Sequence, residues 1–256
     1  MSYWNYFDNK VVWITGASSG IGEALVRHLL QHTSARLVIS ARNTEKLHAI
    51  ANGSNDTSRV YALPFDLGEN FDAEELVRQI ISKYGRIDIL INNGGISQRA
   101  TVMETSEQIE RKLFEINYFS YVKLSKAVLP VMLHQNYGHI VVMSSIAGKF
   151  GFYLRSTYSA AKHALHGYFE SLRLEYEKQG ILVTIVCPGK VKTNVSVNAL
   201  TGKGDKHNQL DESHQNAMSA DKAANVILKH IARQREEAYV GGKEIVMVYL
   251  KRYFPF

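Results

Sequence analysis

Tyr158-Ser159-Ala160-Ala161-Lys162 sets a phenol and an ammonium four residues apart, so on a helix they share one face. A free phenol, with a pKa of ~10, is a poor base near neutrality. A neighbouring cation favours the phenolate and brings the group toward a working pH. The spacing alone selects nothing, because Tyr6…Lys10 and Tyr239…Lys243 repeat it. The first of these precedes the opening apolar run, and the second contains Gly241-Gly242, which disfavours a helix. Tyr158 differs in its company. Ser144-Ser145 closes the apolar run before it, at the strand end where α/β sheets bind ligands. A hydroxyl there can donate to a carbonyl oxygen and stabilise its developing negative charge. Phe150, Phe152 and Tyr153 lie between the two, as a wall for a bulky apolar substrate or as ordinary loop packing.

A second constellation concerns phosphate. The run VVWIT (11–15) leads into Thr15-Gly16-Ala17-Ser18-Ser19-Gly20-Ile21-Gly22, after which a helical period begins. Glycines remove the Cβ atoms that block a tight turn, and a helix N-terminus offers unpaired N–H groups to a pyrophosphate. An NAD site wants an acid at the end of the second strand, to hold the ribose hydroxyls. The chain has Ser40-Ala41-Arg42-Asn43 there, and Arg42 is suited to a 2′-phosphate. The expected cofactor is therefore NADP(H), whose oxidised ring adds positive charge beside Tyr158. Asp66, in FDL after the third strand, is placed for the adenine edge or for a structural turn.

These residues need a scaffold. Six nearly continuous apolar runs, VVWIT (11–15), RLVIS (36–40), RVYAL (59–63), IDILI (87–91), HIVVMS (139–144) and ILVTIVC (181–187), read as strands buried on both faces. Helices are predicted after the glycine loop, with Ile21, Leu25 and Leu29 on one face, and over 70–84, 106–135, 156–179 and 221–234. Gly85 and Gly180 read as stops, and Pro130 as a distortion of the last turn of the 106–135 helix. YVGG (239–242) reads as a closing strand. The alternation predicts one α/β domain over residues 1–256, a Rossmann fold with a doubly wound seven-stranded parallel sheet of order 3-2-1-4-5-6-7. Residues 192–220 are polar and without period, and read as a substrate lid; 243–256 form a tail.

Composition excludes several classes. With 45% apolar and 21% charged residues the chain buries a sizeable core and is not of the disordered type. Cys187, the single cysteine, excludes a disulfide framework and a cysteine-based metal cluster. It lies in an apolar run, reads as a buried small hydrophobe and fits a reducing, cytoplasmic compartment. The net charge of +6 attracts phosphates, but the basic residues are scattered and form no nucleic-acid-binding run. MSYWNYFDNKVVWITG carries no leader pattern, and no apolar stretch reaches the ~20 residues of a membrane span. IVMVYLKRYFPF at the other end mixes Lys251 and Arg252 with aromatics, which suits a peripheral membrane contact or an oligomer contact.

With these motifs together the chain resembles the short-chain dehydrogenase/reductase family, in its single-domain TGxxxGxG/YxxxK branch. TGASSGIG (15–22) is similar to the cofactor loop, and NNGG (92–95) to the family's NNAG, with Gly94 where alanine is usual. Asn117 matches the helix asparagine; Ser145, Tyr158 and Lys162 match the catalytic set; Pro188-Gly189 with Thr193 matches the segment over the nicotinamide amide. The resemblance implies that Tyr158 gives or takes the substrate proton and that Ser145, preferred over Ser144 by its spacing to Tyr158, polarises the carbonyl. It implies that Lys162 binds the ribose and lowers the Tyr158 pKa, and that Asn117 holds a water of a proton relay. Gly16, Ser18, Ser19, Gly20, Ile21, Gly22, Arg42, Asp66, Leu67, Asn93, Gly95, Tyr158, Lys162, Pro188, Gly189, Val191 and Thr193 are the expected cofactor contacts, with Ser145 and Tyr158 touching substrate. A carbonyl/alcohol substrate of steroid, retinoid or lipid type and a homodimer or homotetramer are further implications. A dinucleotide-binding sensor without turnover is the competing reading, against which the complete proton-handling set argues.

Overall fold

The computed structural model describes residues 2–195, 197–207 and 217–254. Its centre is a parallel sheet in the order β3-β2-β1-β4-β5-β6-β9. The strands are β1 (Val11–Thr15), β2 (Arg36–Ser40), β3 (Val60–Ala62), β4 (Ile89–Asn92), β5 (Gly138–Met143), β6 (Ile181–Pro188) and β9 (Glu237–Val240). A separate two-stranded pair, β7 (Val191–Lys192) with β8 (Met218–Ser219), closes the base of the segment between them. The expected strand order holds, with β9 in the seventh place.

The continuous apolar runs are explained by two cores, one on each face of the sheet. Val12 and Ile14 of β1 point to one side with Leu25, Leu29, Ile227 and Ile231, while Val11 and Trp13 point to the other with Ile80, Leu124, Val128 and Phe169. The first core is covered by α1 (Gly20–His32), α2 (Thr44–Asn52) and α7 (Ala220–Ala232). The second lies under α3 (Ala73–Tyr84), α5 (Ser120–His134) and α6 (Ser156–Tyr176). Such two-sided cover is the reason a central strand cannot alternate polar and apolar residues.

Several boundaries differ from the expected ones for local reasons. The 70–84 helix begins at Ala73, because the Asp72 carboxylate accepts the N–H of Glu75 at 3.0 Å and caps it. Gly85, at φ 75°, ends it as expected. The 106–135 stretch is three pieces: α4 (Glu107–Phe114), a π-helical turn (Glu115–Phe119) and α5, which runs through Pro130. The 156–179 helix leaves α geometry at Tyr176 and finishes in a 3₁₀ turn before Gly180. Gly241-Gly242 lie outside the last strand, which draws on Glu237 and Ala238 instead. The sequence reading had no helix for α2, a polar segment that buries only Leu47 and Ala51 and is capped by the Asn43 side chain on Lys46 N–H at 2.8 Å.

The tail is helical in part: α8 (Val246–Tyr253) follows a 3₁₀ turn, and Tyr249 packs on Tyr239 with ring centroids 5.7 Å apart. Met247, Leu250, Tyr253 and Phe254 remain exposed. Exposure of these side chains alone gives the expected membrane contact no support. Among the described residues no helix is long and apolar enough to cross a membrane.

Candidate active site

A cavity of about 710 Å³ opens at the carboxyl ends of β1, β4, β5 and β6. Tyr158, Ser145, Lys162 and Asn117 all line it, and so do Gly16, Gly20, Asn93, Pro188, Val191 and Thr193. The two constellations that lie over a hundred residues apart in the chain therefore share one space.

On the proton-handling side each group is held by the backbone. Lys162, 4% exposed, donates from Nζ to the Met143 carbonyl at 2.7 Å, and Nζ lies 5.8 Å from the centroid of the Tyr158 ring. Ser145 accepts the N–H of Ala147 at 3.1 Å, which caps a 3₁₀ turn and fixes its hydroxyl at the mouth of β5. Asn117, fully buried in the π turn, pairs both ends of its amide with Ile96, accepting its N–H and donating to its carbonyl at 3.0 Å. A Cβ placed on Gly95 would stand 2.7 Å from Asn117 Oδ1 and 3.9 Å from Lys162 Nζ, so the loop after β4 must be bare there.

Burial is the largest influence on both ionisable groups of the site. Burial raises the Tyr158 phenol above its usual value; the Arg155 guanidinium, 5.9 Å from the ring, and the Ser145 hydroxyl pull it back. Burial also pushes Lys162 down to about 7. The Arg155 and Lys162 cations stand at nearly equal distances from the Tyr158 ring, 5.9 and 5.8 Å.

Three residues take positioning roles that the sequence did not assign to them. Gln98 is fully buried, and its Oε1 accepts the N–H of Thr157 at 3.0 Å and of Tyr158 at 3.2 Å, in place of a cap that Arg155 does not provide. Ser144 Oγ donates to the Lys162 carbonyl at 3.3 Å and lies 3.0 Å from His166 Nε2. It supports α6 from behind, while Ser145 faces the cavity. Glu244 accepts the N–H groups of Lys190 at 3.0 Å and Gly242 at 3.1 Å. Burial alone would raise its carboxyl, but these N–H groups hold it below its ordinary value. Glu244 thereby ties the Pro188-Gly189-Lys190 segment to the start of the tail. Gln98 stands beside the NNGG turn and Ser144 in the Ser144-Ser145 pair that follows β5, whereas Glu244 had no sequence signal.

At the other end the glycine loop makes a cradle. Gly16 sits at φ 65°, and a Cβ on it would stand 2.6 Å from the Cα of Gly94. Gly94 has a reason to lack alanine's methyl, because Leu67 Cδ1 lies 2.6 Å from where that carbon would be. Asn93 binds the loop to β4, donating from Nδ2 to the Thr15 carbonyl at 2.9 Å, while Thr15 Oγ1 accepts the N–H groups of Asn93 and Gly94. Arg42, Asp66 and Leu67 line an adjoining hollow of about 100 Å³ with Gly16, Ser40 and Gly95. Ser40 is engaged with the Trp13 indole and Asn43 with α2, which leaves Arg42 facing outward with Asp66 Oδ2 3.9 Å away. Ser19, Ile21 and Gly189 line the main cavity, and Gly22 packs beneath the loop; Ser18 lines neither space. The bare glycines, the helix N-terminus and the outward arginine fit a dinucleotide.

The expected lid is more ordered than its sequence suggested. Leu200 exchanges backbone hydrogen bonds with Ser97 and Arg99 at 2.9 and 2.8 Å, and Ser106 N–H reaches the Gly202 carbonyl at 3.1 Å. Ser196 and residues 208–216 of that stretch lie outside the described residues. Cys187 is buried, as expected, and burial pushes its thiol up. It stands within 4.8 Å of ligand atoms of His166 and Glu237, but Lys149 already forms an ion pair with Glu237.

The parallel sheet, the glycine cradle and the Ser145/Tyr158/Lys162 arrangement define an α/β nucleotide-binding oxidoreductase type. A sequence model for short chain dehydrogenase matches residues 10–203. A Drosophila melanogaster protein, dehydrogenase/reductase SDR family protein 7-like, is 40% identical over 97% of this chain and 78% of its own length. Human dehydrogenase/reductase SDR family member 7 is 39% identical over 98% of this chain and 76% of its own. Among solved structures, a short-chain dehydrogenase from Streptomyces avermitilis superposes with a TM-score of 0.79 at 28% identity, covering 95% of this chain and 96% of that one. A short-chain dehydrogenase/reductase from Burkholderia phymatum, solved with NAD, has a TM-score of 0.83 at 22% identity over 96% and 94%, a likeness of fold. The chain belongs to the short-chain dehydrogenase family, and it is an oxidoreductase of that family.

Proposed function

We propose that this protein is an NADP(H)-dependent reductase that interconverts a carbonyl and a secondary alcohol on a largely apolar substrate. The observation that carries the reading is the convergence of Tyr158, Ser145 and Lys162 on one cavity with the glycine cradle. A bound nicotinamide would supply or accept the hydride. In the reductive direction the Tyr158 hydroxyl gives its proton to the carbonyl oxygen, and the Ser145 hydroxyl donates a hydrogen bond to the same oxygen. The raised phenol pKa suits proton donation, since the group stays protonated at neutral pH. Lys162 would hold the nicotinamide ribose, and Asn117, beside it, would shape the path for proton resupply. Pro188, Gly189, Val191 and Thr193 would cover the nicotinamide; Gly16 to Gly22, Asn93 and Gly95 would border the phosphates and ribose.

Cofactor choice is assigned to Arg42, the outward cation of the β2 end, with Asp66 and Leu67 at the adenine. The cytoplasm fits a chain whose single cysteine is buried and unpaired. Phe119, in the π turn before α5, and Leu174 on α6 are exposed and support assembly as a homodimer or homotetramer through those faces. Tyr158→Phe tests the central role. NADPH affinity measured by fluorescence should change less than twofold while ketone reduction falls by about a thousandfold, the scale of a lost general acid. Retention of a tenth of the activity would remove Tyr158 from this role.

A further inference from the structure

We infer that Tyr121 on α5 is a positioning residue of this site, whose ring face holds the Lys162 ammonium charged and in place beside Tyr158. The inference rests on the carbonyl-reductase reading and adds a residue to it. Tyr121 is fully buried, and Lys162 Nζ stands over its ring, 5.2 Å from the centroid, against 5.8 Å for the Tyr158 ring. Both lie inside the ~6 Å at which the face of an aromatic ring attracts a cation. The ammonium is therefore held from three elements. These are the rings of α5 and α6 and, at the end of β5, the Met143 carbonyl, which accepts one of its N–H groups at 2.7 Å.

Other uses of a tyrosine here explain less. Its hydroxyl has no hydrogen-bond partner among the described residues, and an unpaired buried hydroxyl is a cost. Packing alone would be served by an aliphatic side chain without that cost. The ring, not the hydroxyl, makes the contact with Lys162. Burial holds the Tyr121 phenol above its ordinary value, so the ring stays neutral and its face keeps a negative potential.

The contact matters because Lys162 is poised: burial pushes it down to about 7. Around it stand Tyr158 and His166 on its own helix and Cys187 on β6. Burial raises the phenol and the thiol and pushes the imidazole down to about 4, so all three are uncharged near neutrality. Arg155, over the Tyr158 ring, is a second cation. The Met143 carbonyl and the ring faces thus favour the ammonium over the amine. A cation–π contact in a desolvated site corresponds to a pKa difference of about half a unit to one and a half units. At pH 7 its loss would lower the charged fraction of Lys162 from about half to about a quarter or less. The charged form donates the stronger hydrogen bond to a ribose hydroxyl and favours release of the Tyr158 proton.

Three replacements of Tyr121 test this: Tyr121→Phe, trifluorophenylalanine at the same position through an expanded genetic code, and Tyr121→Leu. Fluorine withdraws electron density from the ring face while barely changing its size. The Lys162 titration is followed in the full-length, cofactor-free protein by NMR of isotope-labelled lysine side chains. Its signal is the one absent from Lys162→Met. Tyr121→Phe should leave the midpoint where it is in the wild type. The fluorinated ring and leucine should lower it by about half a unit to one and a half units. With NADPH and a ketone, the pH above which kcat declines should move down in the same two variants and stay in Tyr121→Phe. One midpoint throughout would overturn the inference and leave Tyr121 a packing residue. So would a fall in Tyr121→Phe as large as that in Tyr121→Leu, since the hydroxyl would then be the active group. If the leucine variant does not fold, the phenylalanine and trifluorophenylalanine proteins decide alone, because they differ in ring charge and hardly in shape. If no ketone is reduced at any pH, the reductase reading falls, and the lysine titration still decides the role of Tyr121.

Discussion

The two ends of the cavity solve their tasks in opposite ways. At the chemical end, Lys162 is 4% exposed, Asn117 is fully buried, and both are pinned to backbone carbonyls or amides. At the β2 end the Arg42 side chain is 66% exposed, with one carboxylate at 3.9 Å. Proton transfer to a carbonyl oxygen tolerates little error in position, so its groups are embedded in the sheet and in α6. Recognition of a phosphate by a guanidinium tolerates more, because the charge reaches further than the hydrogen bond. Changes at the first end should therefore cost rate, and changes at the second should cost selectivity.

Gln98→Leu attacks the rigid end without touching a reacting group. It strips two buried N–H groups, those of Thr157 and Tyr158, of their acceptor. Each costs roughly 1–3 kcal/mol, and the helix end bearing Tyr158 should shift. The expected outcome is a fall of about a hundredfold in kcat, the size attached to a displacement of ~1 Å, with KM for NADPH little changed. Gln98→Glu keeps an acceptor at the same place and should restore most of kcat. If Leu and Glu variants behave alike, Gln98 is a packing residue only.

The same end predicts a pH effect on stability. Lys162 has its ordinary pKa of 10.5 in the unfolded chain and about 7 when folded, so between these values the unfolded state binds more protons. Stability of the cofactor-free protein then rises with pH across that window, by about 1.4 kcal/mol per unit from this group. Lys162→Met lacks the burden at low pH and lacks the gain at high pH. Urea titrations at pH 7 and pH 9 should show the wild type catching up on the variant. A constant difference would mean that Lys162 keeps its charge when buried.

Arg42→Asp addresses the exposed end. Loss of a charge-assisted contact, ~1.5–3 kcal/mol, corresponds to a drop of ten- to a hundredfold in the kcat/KM ratio of NADPH to NADH. Turnover with saturating NADH should stay near the wild-type value. An unchanged ratio would place the 2′-phosphate elsewhere, with Lys46 already paired to Glu23 at 3.2 Å and so not the substitute.

What the sequence disclosed follows the same division. TGASSGIG, NNGG and the Tyr158/Lys162 pair were legible because backbone geometry and proton chemistry admit few residue types. The strands were legible because a parallel sheet covered on both faces demands unbroken apolar runs, and their order because alternating βαβ units cross over right-handed into a doubly wound sheet. Gln98, Ser144 and Glu244 were not legible as positioning residues. Their partners lie 59, 22 and 54 residues away, and any polar residue in a loop has the same appearance before folding. α2 was missed because two buried side chains in nine leave almost no apolar stripe to read. The 106–135 helix was read as continuous because a π turn changes the hydrogen-bond register without changing composition.

Gly94→Ala is the smallest test, and it separates strain from function. Its φ is ordinary, so the backbone accepts alanine; the obstacle is Leu67 Cδ1 at 2.6 Å, the far end of a flexible side chain. Gly16 N at 3.2 Å is the firmer neighbour and permits a shift of a few tenths of an ångström. Leu67 should change rotamer and narrow the adenine hollow it lines. Stability should change by about 1 kcal/mol or less, since alanine's restriction of the unfolded chain offsets the contact. KM for NADPH should rise about twofold, with kcat unaltered. Gly94→Ala/Leu67→Ala should restore the wild-type KM. A rise that persists in the double variant would locate the conflict in the Gly16 backbone, and the glycine at 94 would then serve the phosphate turn itself.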